Sequence, residues 1–179
     1  QPTEAPTQQA QTTQAAPTEQ PTPEPDPVQQ LLEEMTLEQK VGQLFLVRPD
    51  SLDLSQTQDQ INDAKADGVT ELTDAMRQTL AEYPVGGVVI FGKNLESLQQ
   101  ITQFLDDLQQ ASDTPLFTAI DEEGGLVARL ANNAAFDLPQ YESAAAVGTS
   151  GNPEDARAMG RTIGGYLKEY GFNLGFAPV

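Results

Sequence analysis

The chain has 179 residues, with nine Lys and Arg against 27 Asp and Glu, and a net charge of −18 without any basic cluster disfavours a phosphate backbone, so no nucleic acid is expected as a partner. Cysteine and histidine are both absent, which excludes disulfides, thiolate nucleophiles, Cys metal sites and every Ser–His or Cys–His catalytic pair. Chemistry is left to carboxylates, Lys, Tyr and hydroxyls.

Residues 1–27 contain only Gln, Pro, Thr, Ala, Glu and Asp, and no aliphatic side chain larger than Ala. No apolar surface exists there to offset ordering entropy, so 1–27 is expected to be a disordered linker and 28–179 the folded part. A Pro-rich spacer acts as an extended stalk. Together with a first residue that is Gln rather than Met, it places the expected location outside the cell or tethered at its surface. No apolar run approaches the ~20 residues that span a bilayer, so no transmembrane segment is expected.

After the linker, Leu31, Leu32, Met35, Val41 and Leu44 recur at near-helical spacing, and Thr36 with Gln39 forms a capping-box pattern that restarts a helix. Leu44-Phe45-Leu46-Val47, closed by Pro49, suits a strand buried on both faces. Residues 50–68 are polar and turn-rich, and are expected to form a surface loop with one helical turn. Leu72, Met76, Leu80 and Tyr83 mark a helix stopped by Pro84, and residues 85–91 form a second buried strand. Leu98, Ile101, Phe104, Leu105 and Leu108 mark the next helix face, and residues 115–120 the third strand. Asn152-Pro153 caps a helix carrying Ala156, Met159, Ile163, Leu167 and Tyr170, after which residues 173–178 form a fourth strand.

Strands alternating with helices of this length predict an α/β fold with a parallel sheet. Periodicity leaves open whether the sheet is a doubly wound open one or half of an eight-stranded barrel. Arg48-Pro49-Asp50 after the first strand is not a Gly-rich phosphate cradle, which weakens the nucleotide-binding version.

In either architecture functional groups gather at the carboxyl ends of the strands. Asp121-Glu122-Glu123-Gly124-Gly125 follows the third strand directly. Side-chain alternation sends Asp121 and Glu123 one way and Glu122 the other, while the two glycines permit close backbone approach. Carboxylates in such a crevice suit sugar hydroxyls or a cation, and serve equally well as solvated loop acids. Arg129 reaches the same crevice if the segment folds back. Lys93 and Asn94 end the second strand, where Asn94 is expected to cap the helix beginning near Glu96.

Four blocks in order carry a resemblance: residues 35–44, residues 85–91 with Asn94, residues 120–125 with Val127 and Arg129, and residues 171–179. Together they resemble the N-terminal barrel half of glycoside hydrolase family 3, and the acidic-Gly-Gly block resembles its β-N-acetylhexosaminidase branch. That branch usually has Gln where this chain has Glu122 and often Arg where it has Leu126. With Glu122 directed away from the pocket, its change is expected to matter little.

The resemblance implies the first half of a (β/α)8 barrel and retaining hydrolysis of terminal β-linked N-acetylhexosamine, with Asp121 and Arg129 contacting the sugar. It implies no metal and no cofactor. It also implies that the nucleophilic Asp and the His acid/base lie beyond Val179, so no catalytic residue is assigned within the chain, and the isolated chain is expected to be inactive and to self-associate. Two alternatives stand beside this reading: a non-catalytic carbohydrate-binding or structural remnant, and a family 3 enzyme of β-glucosidase type.

Overall fold

The computed structural model describes residues 26–177, and the chain divides into two units, Gln1–Glu34 and Met35–Val179. The expected linker, 1–27, lies outside the described residues except for its last two. In the first unit, helix α1 (Pro27–Glu34) begins with proline, which needs no amide partner there, and Asp26 accepts from the Val28 amide at 2.9 Å. No α1 side chain is buried.

The second unit opens with α2 (Leu37–Gly42), and its capping box forms as expected: the Thr36 amide donates to Gln39 Oε1 at 2.8 Å, and the Gln39 amide to Thr36 Oγ1 at 3.2 Å. The expected strand over residues 44–47 shortens to β1 (Leu46–Val47). Leu44 and Phe45 are 79% and 55% exposed, because amide bonds to the Val41 and Gly42 carbonyls keep them in the turn leaving α2. There follow a 3-10 turn (Pro49–Leu52), α3 (Gln58–Asn62), α4 (Asp74–Glu82), β2 (Gly87–Ile90), α5 (Leu98–Gln110), β3 (Phe117–Ile120), the antiparallel pair β4 (Glu122–Gly124) and β5 (Val127–Ala128), α6 (Ala144–Gly148), α7 (Pro153–Glu169) and β6 (Leu174–Gly175).

Strands β1, β2, β3 and β6 form one parallel sheet in that order. The chain therefore adds each new strand beside the last, without the reversal that defines a doubly wound sheet. Register sets the two faces. Val88 pairs with Thr118 and Ile90 with Ile120, and all four are completely buried. Ile101, Phe104, Leu105 and Leu108 of α5 join them in the core with Met76 and Leu80 of α4. The opposite face is less covered: Val89 is half-buried and Phe117, expected inside, is exposed. Tyr83 and Leu98 are exposed as well, since each sits at the end of its helix rather than over the sheet.

Helix α7 stops in a Schellman motif, with the Phe172 amide donating to the Leu167 carbonyl at 2.9 Å and Gly171 at φ 94°. Asn173 then docks on β3. Its Oδ1 accepts from the Thr118 amide at 2.8 Å, and its own amide donates to Thr118 Oγ1 at 3.1 Å, so β6 pairs with β3 through a polar clamp as well as the ladder.

Close approach governs β2. A Cβ at Gly87 would meet the Phe117 Cβ at 2.7 Å and crowd its carbonyl. Gly87→Ala is expected to lower stability by about 1–3 kcal/mol through overpacking, read as a fall in the thermal unfolding midpoint. An unchanged midpoint would mean the two strands have room to separate.

Candidate functional site

The carboxyl ends of β1, β2 and β3 lead into Arg48, Phe91 and Asp121. The segment after Asp121 turns back through Gly124 and Gly125, at φ 84° and 68°, where only glycine adopts the backbone without strain. The return strand brings Arg129 beside Asp121. Arg129 Nη2 lies 3.0 Å from Asp121 Oδ2, and the two side chains are 34% and 27% exposed. The segment thus folds back, the condition under which the sequence reading put Arg129 within reach of Asp121.

Arg129 also approaches Phe91, its guanidinium 5.8 Å from the ring centroid, while that of Arg48 lies 4.4 Å from the same centroid. Its Nε is buried and makes no hydrogen bond. Arg48, Phe91, Gly92, Lys93 and Arg129 line a cavity of about 370 Å³ whose remaining wall is residues 61–64. Asp121 is not among the lining residues and meets the cavity through its ion pair with Arg129. A second cavity of about 390 Å³, lined by Gln39, Pro84 and Thr114 among others, opens at the opposite, amino-terminal edge of the strands. In parallel α/β folds that edge carries stability rather than function. A further cavity of about 340 Å³, lined by Glu122, Glu123 and Gly175 among others, is walled mainly by small and apolar residues of α6 and α7. The cavity at Arg129 gathers the cations at the strands' carboxyl ends and adjoins the Asp121–Arg129 pair, and it is the candidate site.

Three residues behave differently from their sequence reading. Glu122 does turn away from Asp121, but its change from Gln is not idle. Its side chain is wholly buried, with Oε2 accepting from the Leu130 amide at 2.8 Å and Oε1 from the Ala131 amide at 2.9 Å and the Tyr166 hydroxyl at 2.8 Å. Every partner is a donor, which suits a carboxylate better than an amide carrying an NH₂ of its own. Glu122 thereby fixes the two residues next to Arg129.

Asn94 does not cap the following helix. Ser97 does so, its Oγ accepting from the Gln100 amide at 3.2 Å. Asn94 is buried instead, accepting from the Phe91 amide at 3.0 Å and donating to Asp50 Oδ2 at 3.0 Å and the Val69 carbonyl at 2.9 Å. Asp50, expected in a surface loop, is completely buried and pairs with Lys93 at 3.2 Å. Neither Asp50 nor Arg48 stood out in the sequence. Their one signal was position: Arg48 follows β1 directly and Asp50 stands two residues further on.

The Tyr166 hydroxyl is pushed well above the ordinary tyrosine range, first by burial and then by donating to the Glu122 carboxylate. Because the folded value is raised, the unfolded chain loses this proton first, near pH ~10. The associated stability is complete below that pH and is lost as pH rises towards the folded value. Tyr170, raised by burial and by Glu169, acts in the same direction. Tyr166→Phe is expected to cost about 1–3 kcal/mol at neutral pH and to reduce, without abolishing, the loss of stability above pH ~10, as measured by denaturant melts across that range. Identical alkaline slopes in the two proteins would remove Tyr166 from the titration.

Residues 36–179 match the family model described as the glycosyl hydrolase family 3 N terminal domain. Among curated proteins, the chain is 32% identical over 115 residues to beta-hexosaminidase A of Pseudoalteromonas piscicida, covering 62% of this chain and 19% of that one. It is 34% identical over 116 residues to a beta-hexosaminidase of Thioalkalivibrio sulfidiphilus, covering 62% of this chain and 32% of the other. Among solved structures, it is similar to a glycoside hydrolase family 3 beta-N-acetylglucosaminidase from Paenibacillus sp. str. FPU-7, at 31% identity and a TM-score of 0.63, with 80% of this chain and 24% of that chain covered. The chain thus spans a fifth to a third of the length of these relatives. With a parallel sheet in sequential order, an acidic-Gly-Gly turn at its carboxyl edge and a family match over nearly all of the second unit, this chain belongs to glycosyl hydrolase family 3 as an N-terminal domain.

Proposed function

We propose that the chain supplies the sugar-binding edge of a retaining β-N-acetylhexosaminidase site, with Asp121 and Arg129 contacting a terminal β-linked N-acetylhexosamine. The observation that carries this reading is their 3.0 Å ion pair at the carboxyl end of β3. A carboxylate accepts from sugar hydroxyls and a guanidinium donates to sugar oxygens, so the pair offers neighbouring hydroxyls both functions from one rigid unit. The names of the relatives support the amino-sugar class.

In a retaining mechanism two groups about 5–5.5 Å apart flank the scissile bond, one as nucleophile and one as acid/base. The chain has no histidine, so the His acid/base implied by its resemblance must come from elsewhere in the working enzyme. We assign the chain the place of the first four strands of a (β/α)8 barrel, a reading supported by the sequential strand order and the partly uncovered second face of the sheet. On this reading the isolated chain is inactive and self-associates through its outer strands. The Pro/Thr/Gln-rich composition of 1–27 supports a location outside the cell or at its surface.

Two measurements test the proposal. In the intact enzyme, Asp121→Asn is expected to lower kcat/KM on an aryl β-N-acetylglucosaminide about 100-fold, near 3 kcal/mol of transition-state stabilisation, with little change in melting temperature because the pair is partly solvated. An unaltered rate would remove Asp121 from the site, and a parallel loss of stability and activity would make it structural. The isolated 179-residue chain is expected to show no turnover at high concentration. Turnover by that chain, abolished by Asp121→Ala, would overturn the assignment of catalysis to groups outside it.

A further inference from the structure

One wall of the candidate cavity, residues 61–64, belongs to neither a strand nor a long helix. It lies in the excursion between β1 and α4, where α3 is a five-residue helix. Such a helix is too short to hold itself in water. Its last carbonyls, which have no partner within the helix, are met by two cations from the sheet's carboxyl edge. Lys93 Nζ donates to the Gln60 carbonyl at 3.0 Å, the Ile61 carbonyl at 3.1 Å and, more distantly, the Asp63 carbonyl at 3.5 Å. Arg48 Nη1 donates to the same Ile61 carbonyl at 2.8 Å and reaches Asn62 Oδ1 at 3.4 Å.

The ammonium is itself held from behind. Its side chain is 6% exposed and lies 3.2 Å from Asp50 Oδ1, whose side chain is fully buried. Asp50 accepts further from the Val69 amide at 3.2 Å and from Asn94 Nδ2 at 3.0 Å, and so grips the far end of the excursion. Gly68 allows this approach, because any Cβ there would run into the Lys93 backbone. Lys93 thus bridges a buried carboxylate and the terminal carbonyls of α3. Burial of a Lys is costly unless charge and all three protons are satisfied, and here they are.

We propose that Lys93 is a positioning residue of the sugar site: held by Asp50, it fixes the 61–64 wall opposite Arg129 and so sets the shape of the cavity. This rests on the reading of that cavity as the sugar subsite.

Lys93→Met alone would leave Asp50 buried without its countercharge, and the loss of stability could mask any local effect. The informative protein is the charge-free double variant Asp50→Asn with Lys93→Met, compared with wild type by amide hydrogen exchange and by titration with N-acetylglucosamine. The expected result is exchange at least about tenfold faster in residues 58–64, unchanged protection of β2 and β3, and N-acetylglucosamine affinity weakened several-fold. Unchanged exchange in 58–64 would overturn the proposal, and so would a uniform loss of protection across the sheet, which would make the network a general fold element. Local loosening with full affinity would overturn the link to the site. If wild type itself fails to bind N-acetylglucosamine, the sugar-site reading falls, while the exchange pattern still decides whether Lys93 holds the wall.

Discussion

The carboxylate of Glu122 is buried beneath the turn that carries the candidate site, and the geometry of that turn depends on it. No Lys or Arg forms an ion pair with it among the described residues. Its charge is offset by three hydrogen bonds, two from consecutive backbone amides and one from Tyr166 on α7. An ionised carboxylate left without such donors would be expelled to solvent or neutralised. The amide pair at Leu130 and Ala131 is therefore drawn inward, and Arg129, one residue earlier, is carried to Asp121. The positive φ of Gly124 and Gly125 makes the reversal sterically affordable, and the carboxylate gives it a fixed end point.

A second polar node, around Asp50, Lys93 and Asn94, performs the same task at the neighbouring strand end. It joins segments far apart in sequence: the turn after β1, the loop after β2 and the carbonyls of α3. Strand ends in a parallel sheet present loops rather than regular hydrogen-bonded structure, so loop walls need polar cross-links to hold a shape. Both nodes are sequestered from water, where hydrogen bonds are stronger and an unpaired group is costlier. They share a consequence: residues that line the cavity, Arg129 and Lys93, are positioned by residues that do not, Glu122 and Asp50.

The hydrophobic layer beneath follows simpler rules. Helix α5 presents four fully buried apolar side chains to β2 and β3, and α4 and α7 add their own stripes. Where apolar residues were expected inside and are not, the cause is local. Leu44 and Phe45 stay in a turn, Tyr83 and Leu98 sit at helix ends, and Phe117 faces the less covered side of the sheet. Periodicity reports which residues could share a face, and it does not report which faces find a partner.

By itself the sequence determined the α/β class, the Thr36 and Asn152 helix caps and the core stripe of α5, because each of these rests on local pattern. Tertiary structure alone decided the rest. Strand order comes from pairing between distant segments, and, apart from the bond of Asn94 to the Phe91 amide, the roles of Glu122, Asp50, Lys93 and Asn94 come from partners 8 to 44 residues away. A short-range pattern cannot report such partners: an acidic residue in a polar stretch looks solvated until the fold brings buried donors to it and closes out the water.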